Sequence, residues 1–121
     1  MKVEYLTTKE IIEIHDDIIK TTGGHEGIIN YGNVDFISSQ MRATKGSIKK
    51  VAILFYSILT SHPFLDGQKR TAFRSMETFL NVNDKTLISS DEDIWDVVHK
   101  ISKGEMSFTE TVEWLKKNIK W

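Results

Sequence analysis

The chain contains a single proline, Pro63, which lies between two stretches with helical hydrophobic periodicity. Residues 48–59 are almost entirely apolar, whereas residues 68–81 carry apolar side chains along one side. Because proline lacks an N–H and its ring clashes with the preceding helical turn, these stretches must be two separate helices that meet at a corner. A helix that is apolar on all sides must be surrounded by other elements. We therefore expect residues 48–59 to form the central helix of a helical domain.

The remaining sequence predicts further helices and very little strand. Thr7 with Glu10 and Ser107 with Glu110 fit capping boxes, in which each side chain bonds a free N–H at a helix start. The predicted helices cover about residues 8–22, 33–42, 48–59, 68–81, 91–103 and 108–119. The extended segments 3–6 and 86–88 favour one short strand pair. The prediction is a mostly all-α single domain over residues 1–121, a compact helical bundle with at most a tiny β pair.

Composition excludes several classes of protein. The 16 basic and 17 acidic residues give a formal charge of −1, which disfavours a protein that binds nucleic acid directly through its phosphates. The absence of cysteine excludes disulfides, a thiolate nucleophile and a zinc ribbon. The sequence begins without a signal-peptide pattern and has no apolar run approaching about 18 residues. We expect a cytoplasmic protein without a membrane segment.

The corner around Pro63 carries residues suited to phosphate chemistry. A helix start presents free N–H groups and the positive end of the helix dipole, and Gly67 at that start would let a phosphate approach the backbone. Lys69 and Arg70 add cationic donors. Asp66 is a candidate Mg²⁺ ligand, and His62 can accept a proton from a hydroxyl near neutral pH.

Taken singly, each of these residues has an ordinary structural explanation. His62 fits a helix C-cap, Asp66 with Gly67 is a common turn pair, and Lys69 and Arg70 fit a solvated helix face. Their combination on one short loop between two strong helices favours a functional site.

Three neighbouring features support that site in the prediction. Residues 23–33 are rich in glycine and form either a flap beside the site or a plain surface loop. His15 lies near an apolar helical stripe, so we expect a hydrogen-bonded core histidine. Phe64 and Leu65 are both expected to be buried and to fix the loop.

The stretch His-Pro-Phe-Leu-Asp-Gly-Gln-Lys-Arg-Thr-Ala, residues 62–72, resembles the Fic/Doc signature H-P-F-x-D-G-N-(G or K)-R. The lysine followed by Arg-Thr-Ala is similar to the Doc (death-on-curing) branch, and residues 6–24 resemble the Doc N-terminal region. The resemblance implies a small helical toxin paired with a separate antitoxin protein. It also implies that ATP or another nucleoside triphosphate, with Mg²⁺, modifies a hydroxyl of a target protein. Most Fic enzymes transfer AMP, whereas Doc transfers phosphate to elongation factor Tu and stops translation.

The resemblance also assigns roles to the corner residues. His62 would be the general base, and Asp66 would orient phosphate or bind Mg²⁺. Lys69 and Arg70 would hold the transferred group and so belong to the catalytic set. The residues assigned to the nucleotide follow Asp66 directly: Gly67, Gln68, Lys69, Arg70 and Thr71.

Two departures from the family pattern leave alternatives open. Gln68 replaces the motif asparagine and pushes the amide out by one methylene, so catalysis is either weakened or lost. A degenerate nucleotide- or partner-binding regulator is therefore one alternative. The further arginine of the Fic motif falls on Phe73, and Arg74 points about 100° away around the helix, which disfavours AMP transfer.

Two other patterns carry less weight. Residues 22–27 fit the letters of a self-inhibitory Fic helix, but the glycine pair makes a stable helix there unexpected, so we interpret the match as coincidence. A metal phosphohydrolase built on His15 and Asp16 is the weakest alternative, because the sequence offers no convincing set of further ligands.

Overall fold

The computed structural model describes residues 2–121, and six α-helices make up most of this part of the chain. They are α1 (Thr8–Thr22), α2 (Tyr31–Ala43), α3 (Ser47–Ser61), α4 (Gln68–Val82), α5 (Asp91–Ser102) and α6 (Phe108–Asn118). Over the same residues there is no β-sheet, only two isolated bridges, Ile28 with Phe64 and Leu87 with Ile119. The predicted all-α fold class is confirmed. Within residues 2–121 no helix combines the length and the apolar character needed to cross a membrane.

The central position predicted for α3 is confirmed. It packs against α2, α4, α5 and α6, and α1 lies against α2 and α4 at the side. The buried residues of α3 are Lys50, Val51, Ala52, Leu54, Phe55, Ile58 and Leu59. Lys50 is the exception to its apolar character, and its Nζ donates to the carbonyl oxygens of Met41 and Thr44 at the end of α2. These carbonyls have no intrahelical partner, so two of the three donors of the buried ammonium satisfy acceptors that the end of α2 leaves free.

The helix starts follow their capping residues. The side chains of Thr7 and Ser107 form complete capping boxes, as predicted. The predicted start of α2, at Asn33 or Asp35, is wrong. The side chain of Asn30 accepts a hydrogen bond from the N–H of Asn33 at 3.1 Å, so the helix already begins at Tyr31.

The predicted strand pair between residues 3–6 and 86–88 is also wrong. Leu87 forms its single bridge with Ile119, just after α6, and the N–H of Ile88 donates to the Asn118 carbonyl oxygen at 2.8 Å. The residues at the end of α6 and just after it therefore pair with residues 87–88. The propensity of a short segment for extended backbone does not show which distant segment it pairs with.

Candidate phosphate-binding and catalytic site

The corner between α3 and α4 is formed by a left-handed residue followed by the proline. His62 has φ 47° and ψ 59°, and it ends α3 as its C-cap. Its side chain is exposed, whereas Pro63 and Phe64 behind it are buried. The left-handed backbone turns the chain while the imidazole remains on the surface. The C-cap interpretation of His62 and a role in a surface site are thus compatible.

A cavity of about 370 Å³ opens at this corner. The residues that line it are His62, Leu65, Asp66, Gly67, Gln68, Lys69, Arg70 and Ser102. All four residues predicted to be catalytic are therefore brought together. Ser102, the last residue of α5, was missed, because nothing in the sequence relates it to a loop more than thirty positions earlier.

Thr71 does not belong to this group. Its side chain is fully buried, and its N–H donates to the Gly67 carbonyl oxygen at 2.9 Å as part of α4. Neither group lines the cavity, so the assignment of Thr71 to the nucleotide stays a prediction that this geometry does not support. The reason is helical geometry, because the fourth residue of a helix already has an intrahelical acceptor.

The start of α4 offers free backbone donors to the cavity. Its N-cap is Gly67, and no side chain caps this end, whereas α1, α2, α5 and α6 all have a side-chain cap. The first N–H groups of a helix have no intrahelical partner, and they carry the positive end of its dipole. Lys69 is exposed beside them and forms no ion pair within residues 2–121. This end of α4 therefore suits an anion.

Gly67 is required for a different reason from the one expected. Its φ of 81° is left-handed, and a Cβ there would lie 3.1 Å from Ile19 Cδ1 and 3.6 Å from His15 Cδ2. The missing side chain would point at α1 rather than into the cavity. The expectation that glycine clears space for phosphate is therefore wrong in direction. Glycine allows the left-handed turn and the close approach of α1 to the corner.

His15 supports the corner loop from the side of the core, as predicted for a core histidine. It is completely buried, and its Nε2 donates to the Asp66 carbonyl oxygen at 2.7 Å. Its ring stacks on Phe64 with 3.9 Å between centroids. Leu65 differs from the prediction because it is 58% exposed. The backbone is extended here, so the side chains of Phe64 and Leu65 point to opposite sides, and Leu65 faces away from the core.

Asp66 joins the corner to the preceding loop. One carboxylate oxygen accepts from the His25 N–H at 3.0 Å, and the other accepts from its neighbour Gly67 at 2.8 Å. These two backbone hydrogen bonds lower the pKa of Asp66 below its usual value, and the positive charge of Arg70 adds to the effect. The group is therefore a carboxylate at neutral pH.

A metal ion at Asp66 would need ligands from outside the protein. Over residues 2–121, no three His, Asp or Glu side chains are grouped closely enough to hold a metal ion. Mg²⁺ usually takes one or two carboxylates and completes its octahedron with water and substrate phosphate oxygens. The Asp66 carboxylate could supply one ligand to a Mg²⁺ ion whose other ligands are water and phosphate oxygens.

Arg70 is partly engaged with the end of α1. Its Nη1 donates to the Thr22 hydroxyl and to the Gly23 carbonyl oxygen, the latter at 3.0 Å. A Cβ at Gly24 would lie 2.7 Å from an Asp66 carboxylate oxygen and 3.2 Å from Arg70 Nη2. The first residues after α1 therefore pack directly on the charged side chains of the site.

The glycine-rich segment runs along the corner, and its last three predicted residues belong to α2. The Ile29 N–H donates to the Pro63 carbonyl oxygen at 2.8 Å, and the Leu65 N–H donates to the Gly27 carbonyl oxygen at 3.0 Å. All residues of 23–30 are exposed. We call residues 23–30 the flap, since they lie beside the cavity and pair with its loop. α1 ends at Thr22, so only the first of the residues 22–27 that fit the letters of a self-inhibitory motif lies on a helix.

Gln68 lines the cavity, but both polar atoms of its amide are bonded to the backbone of Phe64. Its Nε2 donates to the Phe64 carbonyl oxygen, and its Oε1 accepts from the Phe64 N–H at 3.1 Å. Phe73, where the Fic motif has an arginine, is 7% exposed and packs on Trp95 with 4.9 Å between ring centroids. Arg74 lies outside the cavity and approaches Asp17 at 3.9 Å.

Comparison with known proteins identifies the class to which this fold and corner belong. The sequence model of the Fic/DOC family matches residues 5–80, which contain α1, the flap, the whole corner and most of α4. The match covers more than half of the chain, so the protein belongs to the Fic/DOC family. It is 27% identical over 122 aligned residues to "Protein kinase doc" of Escherichia phage P1, and the alignment covers 95% of each chain. The predicted family is confirmed.

Proposed function

We propose that the protein is a Doc-like enzyme that transfers a phosphate group from ATP, or another nucleoside triphosphate, to a serine or threonine hydroxyl of a target protein. One observation carries the proposal: a single cavity is lined by an imidazole at the end of α3 and by the uncapped start of α4 with its two cations. The imidazole can accept a proton, and the start of α4 attracts phosphate. Similarity to a protein named as a kinase supports phosphate over AMP as the transferred group.

The proposed reaction uses the residues as follows. His62 takes the proton of the target hydroxyl, and the oxygen forms a bond to the γ-phosphorus. The bond from that phosphorus to the oxygen bridging the β- and γ-phosphates breaks, and the nucleoside diphosphate leaves with that oxygen. The first N–H groups of α4, with Lys69 and Arg70, stabilise the charge on the phosphate oxygens. Mg²⁺ held by Asp66 and the nucleotide would neutralise further charge.

AMP transfer in the usual Fic manner is a less favoured alternative. It depends in the family pattern on an arginine at the position of Phe73, and that side chain is buried against Trp95. Arg74 is one residue further on and lies outside the cavity. No other cation on α4 takes over the position.

The biological setting is part of the proposal. By family resemblance, elongation factor Tu is the candidate target, and its modification would block translation. The flap would align the target segment, since it runs beside the cavity with its backbone paired to the corner loop. We further propose a cytoplasmic toxin held inactive by a separate antitoxin protein. A catalytically degenerate, nucleotide-binding regulator is the alternative that the departure at Gln68 leaves open.

A labelling experiment tests the reaction. The purified protein is incubated with Mg²⁺, purified elongation factor Tu and ATP labelled at either the γ- or the α-phosphate. Label transferred only from the γ-position supports the proposal, and transfer from the α-position would replace it by AMP transfer. Other nucleoside triphosphates and a cell extract are tested in the same way.

Two histidine variants make the test specific. His62→Ala is expected to abolish labelling. His99→Ala is the matched control, because His99 is also an exposed histidine but lies on α5 outside the cavity. Nucleotide binding without transfer to any protein would favour the degenerate regulator.

A further inference from the structure

The corner loop contains a short extended stretch, residues 63–65, that has two hydrogen-bonding edges. On one edge, the Pro63 carbonyl oxygen and the Leu65 N–H bond to the flap at 2.8 and 3.0 Å. In an extended chain, the backbone groups of successive residues point to opposite edges. The N–H and carbonyl of Phe64 therefore face away from the flap.

The N–H and carbonyl of Phe64 cannot form their hydrogen bonds with solvent water. The Phe64 side chain is completely buried, stacked on His15. Buried backbone groups require partners, and no neighbouring strand exists on this edge among residues 2–121. The Gln68 side chain supplies both bonds, with Nε2 donating to the carbonyl oxygen and Oε1 accepting from the N–H.

We infer that Gln68 is a positioning residue whose amide replaces one peptide unit of a missing strand, and so fixes the corner loop to the first residue of α4. The flap is bonded from the other side to Pro63 and Leu65, the two neighbours of Phe64. The histidine, the flap and the free amides of α4 are thereby held in one geometry. The inference rests on the proposed function only where it concerns catalysis.

This role changes the interpretation of the departure from the family motif. A phosphate ligand moved by one methylene would indicate a damaged site. The Gln68 amide instead has both of its polar atoms engaged by the backbone of Phe64. Asparagine is shorter by one methylene, so its amide cannot span the same two groups without movement of the loop. Glutamine is then the residue that this loop requires.

Amide hydrogen exchange tests the inference without any need for activity. Gln68→Met removes both bonds at nearly the same side-chain volume, and Gln40→Met is the matched control. Gln40 is the only other glutamine of the chain, it lies on α2, and its side chain makes no hydrogen bond within residues 2–121. In Gln68→Met, the Phe64 N–H is expected to exchange about tenfold faster or more, as the loss of a typical hydrogen bond predicts. The Ile29 and Leu65 N–H groups should also exchange faster, because the flap pairs with the same segment.

The control and a second variant complete the exchange test. Gln40→Met is expected to leave all three amides unchanged. Gln68→Glu keeps the acceptor and loses the donor at neutral pH, so its Phe64 N–H should retain more protection than in Gln68→Met. Unchanged exchange at Phe64 in Gln68→Met would overturn the inference. Faster exchange at Phe64 with unchanged Ile29 and Leu65 would also overturn it, because the bonds would then not position the flap.

Kinetics separates positioning from phosphate binding. Because small displacements of reacting groups reduce turnover strongly, Gln68→Asn and Gln68→Met should lower kcat by about 10- to 100-fold. The Kd for ATP with Mg²⁺ should change less than threefold, because both polar atoms of the amide are already bonded to Phe64. A gain of activity in Gln68→Asn, or a large loss of ATP affinity with kcat unchanged, would overturn the inference. If the wild-type protein transfers nothing, the proposed function fails while the exchange experiment still decides the role of Gln68.

Discussion

At the scale of single residues, strain is found at the site. His62 and Asp84 are the two non-glycine residues of 2–121 with positive φ, at 47° and 58°. The left-handed region costs an L-residue about 1–2 kcal/mol relative to the right-handed one. Such strain is retained where the surrounding structure or the function requires the side chain. The His62 side chain is an exposed imidazole that lines the cavity. A substitution there can therefore change activity without lowering the stability of the fold.

Replacement of His62 by glycine is therefore expected to uncouple the two properties. His62→Gly should leave the free energy of unfolding unchanged or raise it by up to about 1 kcal/mol, since glycine adopts this backbone without strain but has a more disordered unfolded state. Phosphate transfer should be lost. Urea unfolding and the labelling assay measure the two quantities.

Asp84→Gly provides the comparison, because Asp84 has a similar φ and lies beyond the far end of α4. It should show a similar change in stability with transfer intact. A loss of more than about 1 kcal/mol in His62→Gly would show that the imidazole stabilises the fold, in contrast to what its exposure indicates.

At the scale of elements, the site depends on how closely α1 approaches the corner. α1 contributes His15, which bonds the Asp66 carbonyl oxygen, and Ile19, whose Cδ1 faces Gly67. The carbonyl oxygen of its C-cap, Gly23, accepts from Arg70. The helix therefore fixes the position of the corner loop and the direction of the Arg70 side chain. It supplies no side chain to the cavity lining.

Gly67→Ala should lower the free energy of unfolding by about 2–3 kcal/mol, because strain at positive φ adds to a contact of 3.1 Å with Ile19. Gly104→Ala is the matched control. Gly104 has φ +74°, it lies just after α5, and a Cβ there would meet nothing within 4 Å. Its cost should be the strain alone, about 1–2 kcal/mol. Urea unfolding of both variants gives the difference.

A double mutant identifies the contact itself. Ile19→Val removes the Cδ1 atom, so Gly67→Ala should cost less in that background than in the wild type. Equal costs in the two backgrounds would mean that α1 moves away freely and does not set the position of the corner.

At the scale of the whole molecule, one side chain connects the beginning of the chain to the end of α4. The Asn83 Oδ1 accepts from the Glu4 N–H at 2.8 Å, and its Nδ2 donates to the Glu4 carbonyl oxygen at 2.9 Å. The same Nδ2 donates to the Phe79 carbonyl oxygen at 2.8 Å. As at Gln68, a side-chain amide pairs with a single extended residue in place of a strand.

Asn83→Ala is expected to lower the free energy of unfolding by about 1–3 kcal/mol, since up to three hydrogen bonds of modest net strength are lost. Phosphate transfer should persist, because Asn83 lies at the opposite end of α4 from the cavity. Asn81→Ala, at an exposed position two residues earlier, should change stability by less than about 0.5 kcal/mol. Equal effects of the two substitutions would contradict a special role for Asn83.

The sequence by itself determined most of the helices and the corner between α3 and α4. Capping residues, hydrophobic period and the single proline act within a few positions, so α1, α3, α4 and the exposure of His62 at a cavity could be predicted locally. The family motif added roles for Asp66 and the residues after it, which stay proposals.

The tertiary structure alone decided which groups point where. The choice of Phe64 rather than Leu65 for the core, the direction of Gly67 toward α1 and the membership of Ser102 in the cavity depend on packing between distant segments. The partner of Leu87 was decided in the same way. The physical reason is that an unpaired backbone edge can be satisfied equally well by a strand or by a side-chain amide, and only the folded chain brings one of them into reach.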